Sequence, residues 1–180
     1  MKTPLLASLC VATLALTACD KKPNEAPASS AATSASPAGT QPATAALSTN
    51  NIKDIKNDLI EIQTLSQNRS KEALNLQNKA NQAAQKNDKA ALNTIIAEMQ
   101  TYIANFNRDL DALALKSTEL DKVRGKIKES NNLGIELSEE SIAEKPDMKK
   151  IAELRDRATQ LQKELVADMQ ALENKVKTAQ

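Results

Sequence analysis

The sequence predicts an all-α protein: an elongated, antiparallel three-helix bundle, coiled-coil-like, preceded by a signal peptide and a disordered linker. Three observations predict it. From Asn51 onwards, Leu, Ile and Ala recur at alternating steps of three and four residues, the spacing of a helix that packs along a seam. The 180 residues include 3 Gly, 1 Tyr, 1 Phe and no Trp, which argues against β-rich folds with many tight turns. The dominant residue types are Ala, Leu, Lys, Glu, Gln and Asn, and most of these favour helix.

The first 18 residues have the pattern of an export signal. Met1 and Lys2 precede an apolar run from Leu5 to Ala18, which is shorter than the roughly 20 residues that span a bilayer. A positive start, a short apolar run and small residues before Cys19 are typical of a signal peptide that is removed.

The stretch Leu16-Thr17-Ala18-Cys19 resembles the lipobox of bacterial lipoprotein precursors. The resemblance implies cleavage before Cys19, which would then carry a diacylglyceryl thioether and an amide-linked acyl chain such as palmitate. An ordinary secretory signal that contains a cysteine is the alternative. Asp20 resembles an inner-membrane retention signal of enteric bacteria, but other bacteria sort lipoproteins differently. The sequence therefore does not decide between the inner and the outer membrane.

Residues 19–49, from the lipidated cysteine onwards, are predicted to form a flexible linker. The stretch is rich in Ala, Ser, Thr and Pro and has almost no large apolar residue. It therefore buries too little surface to offset the entropy of ordering its backbone. The folded body is predicted at 50–180, with helices at about 51–85, 88–129 and 147–178.

The first predicted helix has a seam in two apolar parts, interrupted by Ser66 and Arg69. A polar layer of this kind fixes the register of a seam at some cost in stability, or it marks a notch that binds a partner. Leu65 and Leu74 are predicted to pack from adjoining positions. The two parts of the seam are Ile52, Ile55, Leu59 and Ile62, then Ala73, Leu76, Ala80 and Ala83.

The second predicted helix has the longest apolar stripe and begins after a cap at Asn87 or Asp88. Ser117 is the one polar position that interrupts this apolar stripe. Phe106 is expected in the core, with Tyr102 flanking it and keeping its hydroxyl in water. The stripe consists of Leu92, Ile95 or Ile96, Met99, Ile103, Phe106, Leu110, Leu113, Leu120, Val123 and Ile127.

Residues 131–146 are predicted to be irregular, because the Asn-Asn-Leu-Gly run at 131–134 is expected to stop the helix. Ser138, followed by two acids, is expected to cap a short helix that ends near Ala143. Pro146 is expected to open the third helix. The seam of that helix consists of Met148, Ile151, Leu154, Ala158, Leu161, Leu165, Met169, Leu172 and Val176.

Composition excludes several functions. The chain has 24 Lys and Arg against 23 Asp and Glu, and a neutral chain gives no case for binding nucleic acid or for electrostatic adhesion to anionic lipid. Histidine is absent, which removes the usual general base and the commonest metal ligand. Cys10 lies in the signal peptide and Cys19 would carry lipid, so no thiol remains for a disulfide.

No catalytic, cofactor or metal site is predicted. Serines have no histidine to activate them, and the body lacks a glycine-rich loop for phosphate. One acidic group could gather calcium, but its spacing matches no known loop, and helix capping accounts for it. The acids are Glu136, Glu139, Glu140, Glu144 and Asp147.

The sequence therefore predicts a non-enzymatic lipoprotein, anchored to a bacterial membrane through Cys19, whose helical rod acts as a structural or protein-interaction module in the periplasm or at the cell surface. The alternatives are a periplasmic carrier that binds an apolar ligand and an oligomeric chaperone or assembly factor. A protein partner in the envelope is expected, and self-association stays open. Several amide side chains of the first predicted helix lie outside its seam and are expected either to face solvent or to bind a partner: Asn57, Gln63, Gln67, Asn75, Gln77, Asn78, Gln82 and Gln85.

Overall fold

The computed structural model describes residues 46–179. Within that range the protein has no β-strand, and the one β interaction is an isolated bridge between Ser48 and Ser117. The all-α prediction is confirmed, whereas the predicted number of three helices is wrong, because this part of the chain contains four. They are α1 (Ile52–Gln85), α2 (Lys89–Ala112), α3 (Thr118–Ile142) and α4 (Met148–Thr178).

Consecutive helices run antiparallel, and side-chain interactions give the register. Lys79 near the end of α1 pairs with Glu98 near the start of α2 at 2.8 Å, while Arg69 pairs with Asp109 near the end of α2. Ion pairs and amide hydrogen bonds relate α2 to α3 and α3 to α4 in the same inverted order. Every pair of these helices lies side by side at some point along its length, except α2 and α4, which the other two helices separate.

The turn between α1 and α2 is a Schellman-type cap. Asn87 adopts a positive φ of 52°, a conformation that Asn tolerates better than most residues. The Asp88 N–H donates to the Ala83 carbonyl at 3.0 Å and the Asn87 N–H to the Ala84 carbonyl at 3.1 Å, which satisfies the last carbonyls of α1. The Asp88 side chain then accepts from the Ala91 N–H, so the predicted cap is confirmed at Asp88.

The predicted second helix, 88–129, is in fact two helices, because the chain reverses at 113–117. Neither Pro nor Gly lies in this connection, so no helix-breaking residue marks it in the sequence. The Arg124 guanidinium donates to the carbonyls of Leu110 at 3.3 Å and Leu113 at 3.2 Å. The Leu110 carbonyl also accepts from the Leu113 N–H at 3.3 Å, so the guanidinium adds to the bonds that satisfy the last carbonyls of α2. Interactions between residues remote in sequence therefore stabilise the reversal.

The predicted helix stop at 131–134 is also wrong, because α3 continues through it. Leu133 is buried at 3% exposure, so continuing the helix places an apolar side chain in the core. Two amide bonds to α2 add to this: Asn131 donates to Asn107 at 2.9 Å, and Asn107 donates to Asn132 at 3.2 Å. Burial and cross-helix hydrogen bonds outweigh the low helix propensity of the run.

Two predicted helix starts are corrected. Ser138 lies inside α3 and donates to the Gly134 carbonyl at 2.7 Å, so it is a buried helical residue and not the cap of a short helix. The N-cap of α4 is Asp147, whose side chain accepts from two backbone N–H groups of the first turn. Pro146 therefore precedes the cap instead of opening the helix. Met148, predicted in the seam, is 56% exposed.

Most of the buried apolar residues form two clusters, between which α1 carries Ser66 and Arg69. Leu65 packs against the first cluster as predicted, but Leu74 is 48% exposed and the prediction that it packs is wrong. We name the first cluster the basal core, to which all four helices contribute: Ile55, Leu59, Ile62, Phe106, Leu110, Leu115, Leu120, Val123, Ile127, Leu133, Leu154, Leu161, Leu165, Met169, Leu172 and Val176. The distal core comes from α1 and α2: Ala73, Leu76, Ala83, Leu92, Ile95, Met99, Tyr102 and Ile103.

Candidate functional site

Cys19, the one functional residue that the sequence predicts, lies outside the described residues, as do the predicted signal peptide and most of the predicted linker. Among residues 46–179, none of the four helices combines the length and the apolar character needed to cross a bilayer.

The segment that leads into α1 is hydrogen-bonded to the connection between α2 and α3. The Ser48 N–H donates to the Lys116 carbonyl at 2.7 Å, and the Thr118 N–H donates to the Ser48 carbonyl at 2.9 Å. The Asn50 N–H donates to the Glu119 carboxylate at 2.8 Å. We call this interaction, between residues 48–50 and 116–119, the tether junction. The last residues of the predicted linker are therefore attached to the folded body.

Asp58 is the buried carboxylate beneath the tether junction. It is 1% exposed, and Ser117 above it is 0% exposed. Its oxygens accept from the Lys116 N–H at 2.9 and 3.1 Å, from the Ser117 N–H at 2.7 Å and from the Ser117 hydroxyl at 2.6 Å. The carboxylate thus accepts the backbone N–H groups of the reversal that water would otherwise bind. The same bonds compensate for burying the carboxylate, which would be costly without partners. This arrangement holds α1 to the connection between α2 and α3.

Arg69, one of the two polar residues that interrupt the seam of α1, is bonded within the body. Arg69 pairs with Asp109 across the helix interface and with Glu72 at 3.3 Å. The hydrogen bond from Arg69 holds the pKa of Asp109 below its usual value, and the same bond raises the pKa of Arg69. These bonds link α1 to the last turns of α2, as expected of a layer that fixes register.

The two aromatic side chains lie parallel in the core. Tyr102 and Phe106 stack with ring centroids 6.1 Å apart and an angle of 11° between planes. The core position of Phe106 is confirmed. Tyr102 is itself buried, at 7% exposure, instead of flanking the core, and its hydroxyl donates to the Arg69 carbonyl of α1 at 3.3 Å. Burial raises the pKa of Tyr102.

The acidic group of the sequence joins α3 to α4. Glu140 accepts from the Asp147 N–H at 2.9 Å and pairs with Lys150 at 3.0 Å. The backbone donor and the ammonium together lower the pKa of Glu140, the backbone donor more. Glu136 also pairs with Lys150, at 3.4 Å. Residues 46–179 contain no group of three or more His, Cys, Asp or Glu side chains placed to hold a metal ion.

Most of the amide side chains singled out in the sequence lie on the solvent side of α1. Gln63 is half-buried and donates to Glu173 of α4 at 3.2 Å, and Gln77 is also half-buried. Two large apolar side chains accompany the exposed amides, Ile60 at 52% and Leu74 at 48% exposure. The exposed amides are Asn57, Gln67, Asn75, Asn78, Gln82 and Gln85.

Reasoning from the sequence missed Asp58 and the role of Ser117, although both left a signal. Ser117 is followed by Glu119 and Asp121, and a Ser with acids in the next turn is typical of a helix start. Asp58 lies three residues after Ile55, so it faces the same side as the seam. Asp58 on the buried side of α1 and a helix start at Ser117 together indicate that the chain reverses before α3.

A helical body behind a lipobox-like N-terminus defines a class, the helical lipoproteins. The family model described as "Uncharacterised lipoprotein PM1805" matches residues 56–177 of this chain. Because the match covers more than half of the sequence, the chain belongs to that family, and the lipoprotein prediction is confirmed. Membership indicates a protein anchored in the cell envelope by lipid. No curated protein and no solved structure matches the chain.

Proposed function

We propose that this protein is a non-enzymatic lipoprotein, held to a membrane of the cell envelope by acyl chains on Cys19, whose helical body acts as a periplasm-facing structural or protein-interaction module. More than one acyl chain is what stable anchoring requires, because a single chain binds only marginally.

The observation that carries this proposal is how the body uses its buried and half-buried polar groups. Asp58 bonds the reversal between α2 and α3, and Arg69 with Asp109 bonds α1 to α2. These groups stabilise the interfaces between helices, while the exposed polar side chains of α1 face solvent. This distribution of polar groups suits a body whose surface makes the functional interactions.

The anchor is tested with two cysteine variants of the full-length chain in cells. Cys19→Ala removes the proposed acylation site, so we expect the protein to leave the membrane fraction and to lose its fatty acids in mass spectrometry. Cys10→Ala is the matched control, because that residue lies in the proposed signal peptide, and it should be processed and anchored like the native chain. Membrane retention of Cys19→Ala would contradict the anchor.

The role of the body is tested by chemical crosslinking in intact cells. The full-length chain should form a reproducible adduct with an envelope protein, identified by mass spectrometry. The control is a chain that ends at residue 47, which keeps the proposed anchor and linker but lacks all four helices. An equal yield of the same adduct with this control would assign the interaction to the linker and overturn the proposed role of the body.

A further inference from the structure

The side of α1 that faces away from both cores carries a second, incomplete heptad seam. Ile60 and Leu74 are separated by 14 residues, two heptads, and therefore lie nearly in line along the helix. Both are about half exposed, at 52% and 48%. We call this face the outer stripe: Lys53, Lys56, Ile60, Thr64, Gln67, Lys71, Leu74 and Asn78.

The charge of the outer stripe has one sign. Lys53, Lys56 and Lys71 are exposed, and no ion pair joins any of them to a residue within 46–179. None of the eight positions is Asp or Glu. The exposed acids of α1, Glu61 and Glu72, lie about a quarter-turn or more away, on the side where Lys79 meets α2.

A single exposed Leu or Ile on a soluble protein needs no explanation. The outer stripe differs because its two apolar side chains lie nearly in line at heptad spacing, with Gln67 midway between them. Its lysines form no ion pair within the described body. The inward seam of α1 uses the same heptad spacing to pack against other helices. The outer stripe thus has the pattern of a helix-packing surface that no described helix covers.

We infer that the outer stripe docks one helix of a partner protein in the envelope, a helix that carries apolar residues at heptad spacing and carboxylates along its flanks. The inference rests on the proposed interaction role and names the surface and the partner chemistry. Ile60 and Leu74 supply the apolar packing, and the three lysines attract the carboxylates and fix the orientation of the helix. Carboxylates are required because lysine-bearing flanks would repel the stripe.

The first measurement locates the docking surface with a photo-crosslinking amino acid in the full-length, anchored chain in living cells. The photo-crosslinking amino acid replaces Gln67, at the centre of the outer stripe. In the matched control it replaces Gln170, an exposed glutamine of α4. We expect a protein adduct at position 67 and not at position 170. Sequencing of the crosslinked peptide should give a partner segment with heptad apolar residues and flanking Asp or Glu.

The second measurement tests the charge. Changing Lys53, Lys56 and Lys71 to Glu together should reduce the adduct at position 67 about tenfold or more. The control changes Lys122, Lys145 and Lys163 to Glu, three exposed lysines elsewhere, with the same change in net charge. It should leave the yield unchanged. The double variant Ile60→Ser with Leu74→Ser tests the apolar packing at exposed positions through the same adduct yield. The circular dichroism spectrum verifies the fold of each variant.

Several results would overturn the inference: an adduct with a second copy of this chain, an adduct with lipid, no adduct at position 67, equal adducts at both positions, a partner segment without acids, or a yield that both lysine triples reduce alike. Membrane fractionation of the same cells separates this failure from that of the proposed function. An anchored chain without the adduct refutes only the docking surface, whereas native protein found free of the membrane refutes the anchor.

Discussion

The basal and distal cores are filled with different side chains, although α1 and α2 contribute to both. In the basal core α1 contributes Ile55, Leu59 and Ile62, and helices α3 and α4 close around them. In the distal core its contributions include Ala73 and Ala83. Each buried CH₂ contributes about 0.8 kcal/mol, so α1 gains far less from burial along its second half.

The two regions also differ in how many helices surround them. Gln100 of α2 is hydrogen-bonded to Glu139 of α3, and α3 ends three residues later at Ile142. At 1.5 Å per residue, α1 and α2 therefore continue for about 12 Å beyond the end of α3 as a hairpin of two helices. Ile135 and Ile142 of α3 pack against the distal core, but the alanines of α1 and the two-helix tip together predict that the distal hairpin opens more easily than the basal region.

The largest expected effect compares one leucine from each core. Leu120→Ala, at a position with 0% exposure in the basal core, should lower the free energy of unfolding by about 3–5 kcal/mol. Leu76→Ala in the distal core should cost about 2 kcal/mol, because Leu76 keeps 7% exposure and is buried less completely. Urea denaturation measures both, and equal losses would remove the proposed difference between the cores.

The buried carboxylate beneath the tether junction gives the next effect, which belongs to the basal region alone. Asp58→Ala leaves three donors of Lys116 and Ser117 without a partner in a buried site, and should cost about 3 kcal/mol. Ser117→Ala removes one donor and should cost about 1 kcal/mol. Thermal or urea unfolding gives the order, and an Asp58→Ala protein as stable as the Ser117→Ala protein would contradict the structural role of the carboxylate.

Hydrogen exchange compares the two regions without mutation. Backbone amides of residues 78–85 and 89–97 should exchange about tenfold or more faster than those of 120–127, after correction for intrinsic rates, because local opening of a two-helix hairpin exposes less apolar surface. Mass spectrometry of exchanged peptides resolves these segments. Uniform protection across them would mean that the body unfolds as one unit.

The smallest effect is a pH dependence at the layer between the cores. The folded pKa of Asp109 lies below its ordinary value, chiefly because Arg69 donates a hydrogen bond to it. The pair therefore stabilises the fold at neutral pH and loses this contribution as pH falls through the folded pKa of Asp109. Asp109→Asn should destabilise the protein at pH 7 and bring its stability closer to that of the native chain below about pH 4. A constant difference between the two proteins would exclude this linkage.

The sequence predicted the helices best where apolar spacing was regular. The bounds of α1, the cap at Asp88, the core position of Phe106 and most of the α4 seam agree with the structure. Each depends on residues within a few positions of one another. Helix periodicity and capping are local properties, so one sequence contains them.

The two largest errors share a cause, because each concerns a group whose partner is distant in the sequence. The break at 113–117 depends on Asp58, which lies 59 positions before Ser117. The continuation of α3 depends on Asn107 and on the burial of Leu133. Local propensity is a weak guide where tertiary interactions decide the outcome.

The sequence by itself determined that this chain is helical, that it resembles a lipoprotein precursor and where most of its apolar seams run, because spacing and terminal motifs are written in consecutive residues. Only the tertiary structure decided that four helices of the described body form two unequal cores, and that one face of α1 is left uncovered by the other three. Those features depend on which side chains meet across helices, since a charge or a leucine has a role only once its neighbours are fixed in space.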